Sequence, residues 1–325
     1  MTRILYVIQT FKAPEQIYRL AQIIKTSSPA SLIIICHDYT VSHLEIEPLE
    51  KLEVEVLRIN GKGGRGDFSM VQSYLEAIEW ALTHNLEFDW CINLSGQDYP
   101  TQPLPQLEHF LAKTFYDGFL DYFEAFSETV PWGLRESEDR YLYQYWRSGR
   151  FLSRWERGLL RPLATTLNQT QPFIRINWAY DGLMVGLKAK STLFNKNFVC
   201  YGGSFFCTLS RKCIDYLYSF AKENPDVVQY YKKSCVSVES FIQTVLVNSH
   251  LFNLCNSSKR YIDFANSEDS SRPRILTCED YLQLAKDDIH FARKFEIGQN
   301  SKILDLLDAR ILQNHEFSIS KETFN

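Results

Sequence analysis

The chain has 325 residues, of which 45% are hydrophobic and 23% charged, and its formal net charge is −4. This composition is typical of a soluble globular protein, and the acidic balance argues against a nucleic-acid partner, which usually demands a basic face. Every apolar run is shorter than the ~18 residues of a membrane helix, and none resembles a secretory signal. We therefore expect a cytoplasmic protein without a transmembrane segment, and we leave peripheral membrane association open.

Strands and helices alternate along the first hundred residues. Apolar runs typical of strands occur at 3–8, 32–36, 54–59 and 89–95. A helix follows Pro14, and a second helix carries apolar residues at helical spacing from Val71 to Leu82, with Ser69 and Gln72 placed as a capping box. This alternation predicts an α/β fold, with a Rossmann-like, mostly parallel sheet flanked by helices and ligands at the carboxyl ends of its strands.

The remainder of the chain divides at about residue 200. Residues 115–200 are rich in aromatic residues and arginine and predict an irregular insertion, because no linker separates them from the rest. Beyond them the sequence predicts a strand at 202–210, helices at 211–220 and 238–246, a helix cap at Thr277 with Asp280, and a closing helix at 303–312.

Two polar stretches in the first half allow more than one interpretation. In LSGQDYP (94–100), Gln97 and Asp98 lie just past a buried strand, either in a ligand-facing loop or in a turn stabilised by the carboxylate. GKGGRGD (61–67) is not a P-loop, because no Gly-Lys-Ser/Thr ends it. It is either a flexible turn or a backbone that approaches phosphate or sugar at a helix N-terminus.

The charged motifs suggest how a diphosphate could be held without a metal ion. The sequence contains no Asp-x-Asp, the pair with which many nucleotide-sugar transferases bind a divalent cation. A metal-free enzyme of that class would have to neutralise the diphosphate with Arg and Lys, and RPR (272–274) and FARKFE (291–296) offer them, although the Arg-Lys pair also suits a solvated helix end. Glu239 either complements a helix dipole or acts as a catalytic carboxylate.

The cysteines predict no metal site. Eight are scattered along the chain without a CxxC or a Cys/His ligand pair. Structural zinc ligands come as closely spaced pairs, so we expect reduced, apolar cysteines and no bound metal.

Five motifs, in order along nearly the whole chain, resemble those of the core-2/I-branching N-acetylglucosaminyltransferase and peptide O-xylosyltransferase family. They are GDFSMVQ (66–72), LSGQDYP (94–100), GGSFFCTLSR (202–211), VESFIQTVLVNS (238–249) and FARKFE (291–296). The resemblance implies a GT-A-like fold, a UDP-sugar donor and inversion at the anomeric carbon without a metal ion or other cofactor.

The resemblance also implies roles for individual residues. Glu239 falls on the general base that deprotonates the acceptor hydroxyl, and Arg274, Arg293 and Lys294 fall on the cations that hold the UDP diphosphate. The other implied donor contacts are Asp38 at the uracil, Gly64 and Arg65 in a donor-contacting turn, Asp98 orienting its loop or the sugar, and Ser204 and Phe205 beside the sugar.

The acceptor site is expected in the aromatic middle of the chain. Arg140, Tyr141 and Trp178 suit a glycan through their aromatic faces and positive charge, although packing explains each of them equally well. We expect one glycosyltransferase domain spanning 1–325, with a nucleotide-binding half at 1–110 and an acceptor and catalytic half at 111–325.

Departures from the family pattern leave the donor sugar open. Ser237-Val238 replaces Pro-Asp before the glutamate, Phe206 replaces a Trp, and Arg65-Gly66-Asp67 replaces Trp-Gly-Gly. Both GlcNAc and xylose remain candidates for transfer to a glycan or peptide hydroxyl, and we expect a bacterial member, without the N-terminal anchor of eukaryotic relatives, that acts in surface polysaccharide synthesis. The alternative is a catalytically silent glycan- or nucleotide-binding module on the same fold.

Overall fold

The protein is described by a computed structural model over residues 2–59, 66–151, 154–177, 182–265 and 272–322. The strands are β1 (Ile4–Thr10), β2 (Leu32–Asp38), β3 (Glu55–Ile59), β4 (Trp90–Ser95), β5 (Asp98–Pro100), β6 (Gly118–Leu120), β7 (Phe123–Glu124), β8 (Tyr143–Phe151), β9 (Ile174–Asn177), β10 (Gly182–Lys188), β11 (Tyr201–Gly202), β12 (Thr208–Ser210), β13 (Leu254–Asn256), β14 (Arg260–Ile262) and β15 (Phe291–Arg293). The α-helices are α1 (Pro14–Ser27), α2 (Glu47–Glu50), α3 (Phe68–Thr83), α4 (Leu104–Lys113), α5 (Leu134–Tyr141), α6 (Arg154–Thr170), α7 (Arg211–Glu223), α8 (Pro225–Lys232), α9 (Phe241–Ser249), α10 (Tyr281–Leu284) and α11 (Ser301–Glu322).

The central sheet has seven strands in the order β13-β6-β12-β4-β1-β2-β3. Neighbouring strands from β4 to β3 pair in parallel, and β13 pairs in parallel with β6. Strand β12 runs antiparallel to both of its neighbours. The predicted α/β class with a mostly parallel sheet is therefore confirmed. The sheet draws strands from both sides of residue 110, while the proposed roles of the two halves stay predictions.

Both faces of the sheet are covered, which explains the continuous apolar runs in its strands. Along β1, Leu5 and Val7 point into a core packed by helices α3, α7 and α9. Ile4, Tyr6 and Ile8 alternate with them and point into a second core packed by α1, α4 and α11. This period of two buries every side chain of β1, on one face of the sheet or the other.

Three local predictions need correction. Helix α3 is capped by Asp67, whose carboxylate accepts from the Ser69 N–H at 2.7 Å, and not by Ser69. The stretch 202–210 is interrupted, with strand pairing only in β11 and β12. Glu239 lies in a 3-10 turn before α9 and not in the helix itself. The Thr277 and Asp280 capping box is confirmed.

Smaller sheets build the surroundings of the central strands. In the insertion, β8, β10 and β9 form an antiparallel sheet beside α6. Strands β14, β15 and β5 form another, in which Asp98 pairs with Arg293. Because β5 follows β4 after two residues, this sheet lies beside the carboxyl end of β4. None of the helices within the described ranges has the length and apolarity needed to cross a membrane.

Gly203 provides a test of how tightly the interruption at 203–207 is packed. A β-carbon at Gly203 would lie 1.8 Å from the Asp121 backbone oxygen, whereas one at Gly298 would meet no atom within 4 Å. We expect Gly203→Ala to lower the free energy of unfolding by about 1–3 kcal/mol through overpacking. Gly298→Ala, the matched control, should change it by less than about 0.5 kcal/mol. Urea denaturation measures both, and equal stability of the two variants would contradict the packing described.

Candidate active site

The loop after β4 is fixed by buried polar contacts. The Asp98 carboxylate is fully buried, and its Oδ2 accepts from the Ser95 backbone N–H at 2.6 Å and from the Ser95 hydroxyl. The Gln16 side chain donates to the Gly96 carbonyl at 2.8 Å. Asp98 Oδ1 faces Arg293 Nε at 3.8 Å. The carboxylate therefore both closes the turn and aims one oxygen at a cation.

Two arginines converge on that oxygen and on one aromatic ring. The Arg293 guanidinium lies 4.2 Å from the Phe206 ring centre, and that of Arg260 lies 5.5 Å from it. Arg260 Nη2 donates to the carbonyls of Asn93 and Cys207, at 2.9 and 3.0 Å. Asp98 Oδ1, Arg293 Nε, and Nε and Nη1 of Arg260 are buried without a hydrogen-bond partner among the residues described. Burying polar atoms without a hydrogen-bond partner is costly, and a ligand that bonds to them would remove that cost.

Lysines extend this positive region toward the end of β1. Lys12 Nζ lies 2.8 Å from Glu296 Oε1, and Lys294 Nζ lies 4.0 Å from Oε2 of the same carboxylate. Burial lowers the pKa of Lys294, and the nearby positive charges of Lys12, Arg272 and Arg293 lower it further, against the attraction of Glu296. We call Lys12, Arg260, Arg293 and Lys294 the cation cluster. The positive charges of these four side chains repel one another, and a bound anion would offset that repulsion.

Arg274 lies close by in sequence but is already neutralised. Its Nε donates to Asp263 at 2.6 Å, and its Nη1 donates to Asp280 at 2.9 Å while Nη2 contacts the other oxygen of the same carboxylate. The hydrogen bonds that Arg274 donates to Asp280 and Asp263 raise its pKa despite its partial burial. The guanidinium therefore ties two segments together, and its implied role as a diphosphate cation stays a prediction.

Glu239 has the accessibility that a catalytic carboxylate needs. Its side chain is 38% exposed, and its Oε2 accepts from Arg140 Nη1 at 2.9 Å. Arg140 also contacts Glu136 and lies 4.3 Å over the Trp132 ring. Burial acts to lower the pKa of Arg140, but Tyr141, Glu239 and Glu136 outweigh it and the pKa is raised. Arg140 thus stays charged and orients the Glu239 carboxylate.

The segment 203–207 connects Glu239 to the cation cluster. The Gly203 N–H donates to the Glu239 carbonyl at 2.8 Å, and three residues later Phe206 packs against Arg293 and Arg260. Three residues span at most about 10 Å. One short stretch of backbone therefore connects the Glu239 main chain to the ring on which Arg260 and Arg293 pack.

A buried amide holds this segment off the sheet. Asn93 Nδ2 donates to the Phe205 carbonyl at 2.8 Å, and its Oδ1 accepts from the Cys207 N–H at 2.6 Å. The side chain thereby satisfies two backbone groups where the segment leaves regular strand pairing, beside the last backbone bond from the Asn93 N–H to the Cys207 carbonyl at 3.3 Å.

A cleft of about 580 Å³ opens next to Glu239. Its lining residues are Trp132, Gly133, Leu134, Arg135, Glu136, Asp139, Arg140, Asn177, Cys235 and Val236. Arg140 therefore contacts both the cleft and the Glu239 carboxylate, as expected of a group between acceptor and base.

The other sequence-predicted residues lie at varied positions. Asp38 ends β2, where its Oδ1 accepts from the Thr40 N–H at 2.9 Å. Ser204 is partly exposed, but Phe205 is 4% exposed and packs on Tyr74. Tyr141 has no accessible surface, so in this conformation it packs in the core and cannot touch an acceptor. Gly64, Arg65 and Trp178 lie outside the described residues.

Four residues at the site were not identified from the sequence. Lys12 follows the carboxyl end of β1, where the strand-end rule could have found it. Arg260 and Asn93 belong to no motif, and Phe206 was noted only as a departure. Their importance depends on contacts with residues more than 50 positions away in the chain.

The described residues include no group of three or more His, Cys, Asp or Glu side chains that could hold a metal ion. All eight cysteines are free, and six of them are buried. Burial raises the pKa of the Cys36 and Cys91 thiols to about 12, which makes them poor metal ligands and poor nucleophiles.

Comparison with known proteins supports a glycosyltransferase. Residues 147–285 match the family model described as Core-2/I-Branching enzyme. The Arabidopsis thaliana protein named beta-glucuronosyltransferase GlcAT14A is 25% identical over 248 residues, covering 75% of this chain and 47% of that protein. GlcAT14C, from the same plant, is 22% identical over 270 residues, covering 78% and 58%. The chain thus spans about half the length of the curated relatives it matches.

Among solved structures, a Bacillus anthracis protein named as a glucose-1-phosphate thymidylyltransferase, with sucrose bound, covers 66% of this chain and 74% of its own. The TM-score is 0.29 at 9% identity, so this likeness carries no argument. The family match, together with the mostly parallel sheet, supports the GT-A-like class.

The carboxylates around Arg274 predict a pH dependence of stability. Burial acts to raise the pKa of Asp280, but hydrogen bonds from Arg274 and the Thr277 backbone outweigh it and the pKa is lowered. A lowered pKa stabilises the fold above the ordinary aspartate pKa, and this contribution is lost as the pH falls through the folded-state pKa. We expect Asp280→Asn to cost about 1.5–3 kcal/mol at neutral pH, with the difference shrinking below about pH 4.

The matched control is Asp305→Asn, whose side chain is 61% exposed beside Arg19. It should change the free energy of unfolding by less than about 0.5 kcal/mol at either pH. Urea denaturation at neutral and acidic pH measures both variants. A loss for Asp280→Asn that stays constant with pH would contradict the ion-pair explanation.

Proposed function

We propose that this protein is an inverting, metal-independent glycosyltransferase that moves a sugar from a UDP-sugar to the hydroxyl of a glycan or peptide. The observation that carries the proposal is the segment 203–207, which joins the Glu239 backbone to Phe206, whose ring packs against Arg260 and Arg293 of the cation cluster. A base at one end and cations at the other suit a sugar diphosphate, whose anomeric carbon and leaving group are separated by a few ångströms.

The cation cluster supports binding of the diphosphate. Arg293 and Lys294 lie with Arg260 and Lys12 at the carboxyl ends of β1 and β4, where ligands of α/β sheets bind. Partnerless donors on Arg260 and Arg293 would be satisfied by phosphate oxygens. Positive charge placed there would stabilise the departing UDP as the glycosidic bond breaks, which is the work that other transferases assign to a metal ion.

Glu239 is proposed as the general base. It would accept the proton of the acceptor hydroxyl as that oxygen attacks the anomeric carbon, so that UDP leaves from the opposite face. Arg140 is placed to orient this carboxylate, and the cleft that Arg140 lines is the proposed acceptor site.

We consider three sugars as the one transferred from the donor. GlcNAc and xylose follow from the motifs, and glucuronic acid is added because the plant relatives are named beta-glucuronosyltransferases. A role in surface polysaccharide synthesis and a cytoplasmic location remain part of the proposal. The second candidate, a catalytically silent binding module, is favoured by one observation: the Glu239 carboxylate is already held by an arginine.

Titration of UDP by calorimetry tests the metal-free donor site. We expect binding in EDTA, unchanged by Mn²⁺, and weakened about 10–100-fold by Lys294→Gln, because one charge-assisted contact is worth about 1.5–3 kcal/mol. Lys302→Gln, an exposed lysine, is the control and should bind UDP as the wild type does. Binding that requires Mn²⁺ would overturn metal independence, and no binding in either buffer would favour another nucleotide or the silent module.

Replacement of the proposed base separates the enzyme from the silent module. We expect Glu239→Gln to reduce turnover of the accepted donor by about 10²–10⁴-fold, because the amide cannot take the proton, while UDP affinity is kept. Glu45→Gln, at an exposed carboxylate, should retain full turnover. The assay is UDP release with UDP-GlcNAc, UDP-xylose and UDP-glucuronic acid. Turnover undiminished in Glu239→Gln would rule out this base.

A further inference from the structure

Helix α6 carries an apolar face that packs against nothing in the described structure. Trp155, Leu159 and Leu163 recur at i, i+4 and i+8, so they share one face of the helix, and they are 73%, 61% and 66% exposed. Phe173, just beyond the helix, is 67% exposed. Large apolar side chains exposed together in this way usually mark an interaction surface.

The rest of the helix explains why this face stays open. Ala164 is buried, and the Asn168 amide exchanges two hydrogen bonds of 2.9 Å with the backbone of Ile176 in β9. The helix is therefore anchored to the small sheet by a polar clamp, and not by its large apolar residues. Helix α7 is the contrast within the same chain, since its apolar residues Cys213, Ile214 and Leu217 are all buried.

The sequence that enters and begins α6 is rich in arginine. The twelve residues 150–161, RFLSRWERGLLR, contain four Arg and one Glu, a formal charge of 4 − 1 = +3 in a chain whose total is −4. Of these, Arg161 is exposed on the described helix. A net positive stretch of an acidic protein thus overlaps the helix that exposes these apolar residues.

We propose that α6, with Phe173, is a docking surface for an anionic lipid bilayer. Trp and Leu on one side of a helix and arginine on the other are the features of helices that lie in the plane of a membrane interface. Trp prefers the headgroup level, and arginine is drawn to anionic lipids over about a Debye length. The length and composition of α6 place it on the membrane surface and not across it.

The same charge disfavours a second copy of this chain as the occupant. An isologous contact would bring two arginine-rich helices together, and their like charges would repel. An anionic lipid bilayer would bury the apolar side chains and also attract the arginines.

Flotation with lipid vesicles tests the surface, using the full chain. We expect binding to phosphatidylcholine vesicles that contain phosphatidylglycerol, little binding to pure phosphatidylcholine, and weakening as salt is raised. The combined variant Trp155→Ser, Leu159→Ser and Leu163→Ser should lose about tenfold or more of the binding. The matched control replaces Phe115, Leu251 and Leu282 with Ser, since these are as exposed but lie apart from α6.

Single substitutions test the charge contribution to docking and its independence from catalysis. Arg161→Gln should reduce binding to the anionic vesicles, and Glu239→Gln should bind them as the wild type does, so that failure of docking and failure of catalysis are distinguishable. Because all three α6 side chains are exposed, circular dichroism should show the same thermal transition for the α6 variant.

Two outcomes would overturn the proposal. One is equal binding of the wild type to neutral and anionic vesicles, or binding by the α6 variant that matches its control. The other is a dimer in light scattering, dissociated by the α6 variant, with no vesicle binding. That result would make a second copy the occupant.

Discussion

The amide of Asn93 is the interaction on which the site depends. It lies 1% exposed on β4 and satisfies both the Phe205 carbonyl and the Cys207 N–H. Because the Asn93 side chain satisfies these two backbone groups, the chain between β11 and β12 can depart from regular strand pairing without leaving them unpaired. That departure brings Gly203 to Glu239 and Phe206 to Arg293. The Arg260 guanidinium then braces the same point through the carbonyls of Asn93 and Cys207.

Charge is distributed unevenly around this junction. Arg274 and Arg140 each have two carboxylate partners, so they hold their surroundings in place and keep their charge. Among the described residues, the four side chains of the cation cluster instead share three carboxylates, those of Asp98, Asp121 and Glu296. A region that is rigid but short of negative charge is preorganised for an anion, since binding then costs little rearrangement. Asp98 contributes to the rigidity and to the charge balance of this region. One of its oxygens closes the loop after β4, and the other faces Arg293.

The regular parts of the fold could be predicted from local patterns. The alternation of apolar runs and amphipathic stretches predicted the strands of the first half and helices α1 and α3, because their side chains meet a core on a fixed period. The predicted cap of α3 was wrong, since Asp67 and Ser69 are equally good capping residues and only the backbone angles decide between them. The break at 203–207 was missed because the nine-residue stretch GGSFFCTLS has the same local pattern whether or not a distant amide takes up its backbone hydrogen bonds.

The sequence by itself determined the α/β class, the order of the motifs and the residue types of the proposed chemistry, because these depend on periodicity and on side-chain identity. Tertiary structure alone decided which arginines and lysines are not already neutralised by carboxylates of the protein. Arg274 and Arg293 are indistinguishable as letters, yet the first is neutralised by Asp263 and Asp280. The second faces Asp98 at 3.8 Å and keeps a buried Nε without a hydrogen-bond partner among the residues described. Tertiary structure alone also decided that Cys213, Ile214 and Leu217 of α7 are buried, whereas Trp155, Leu159 and Leu163 of α6 are exposed in the described structure. Electrostatic and packing energies depend on distances in space, and these are set by residues far apart in the chain.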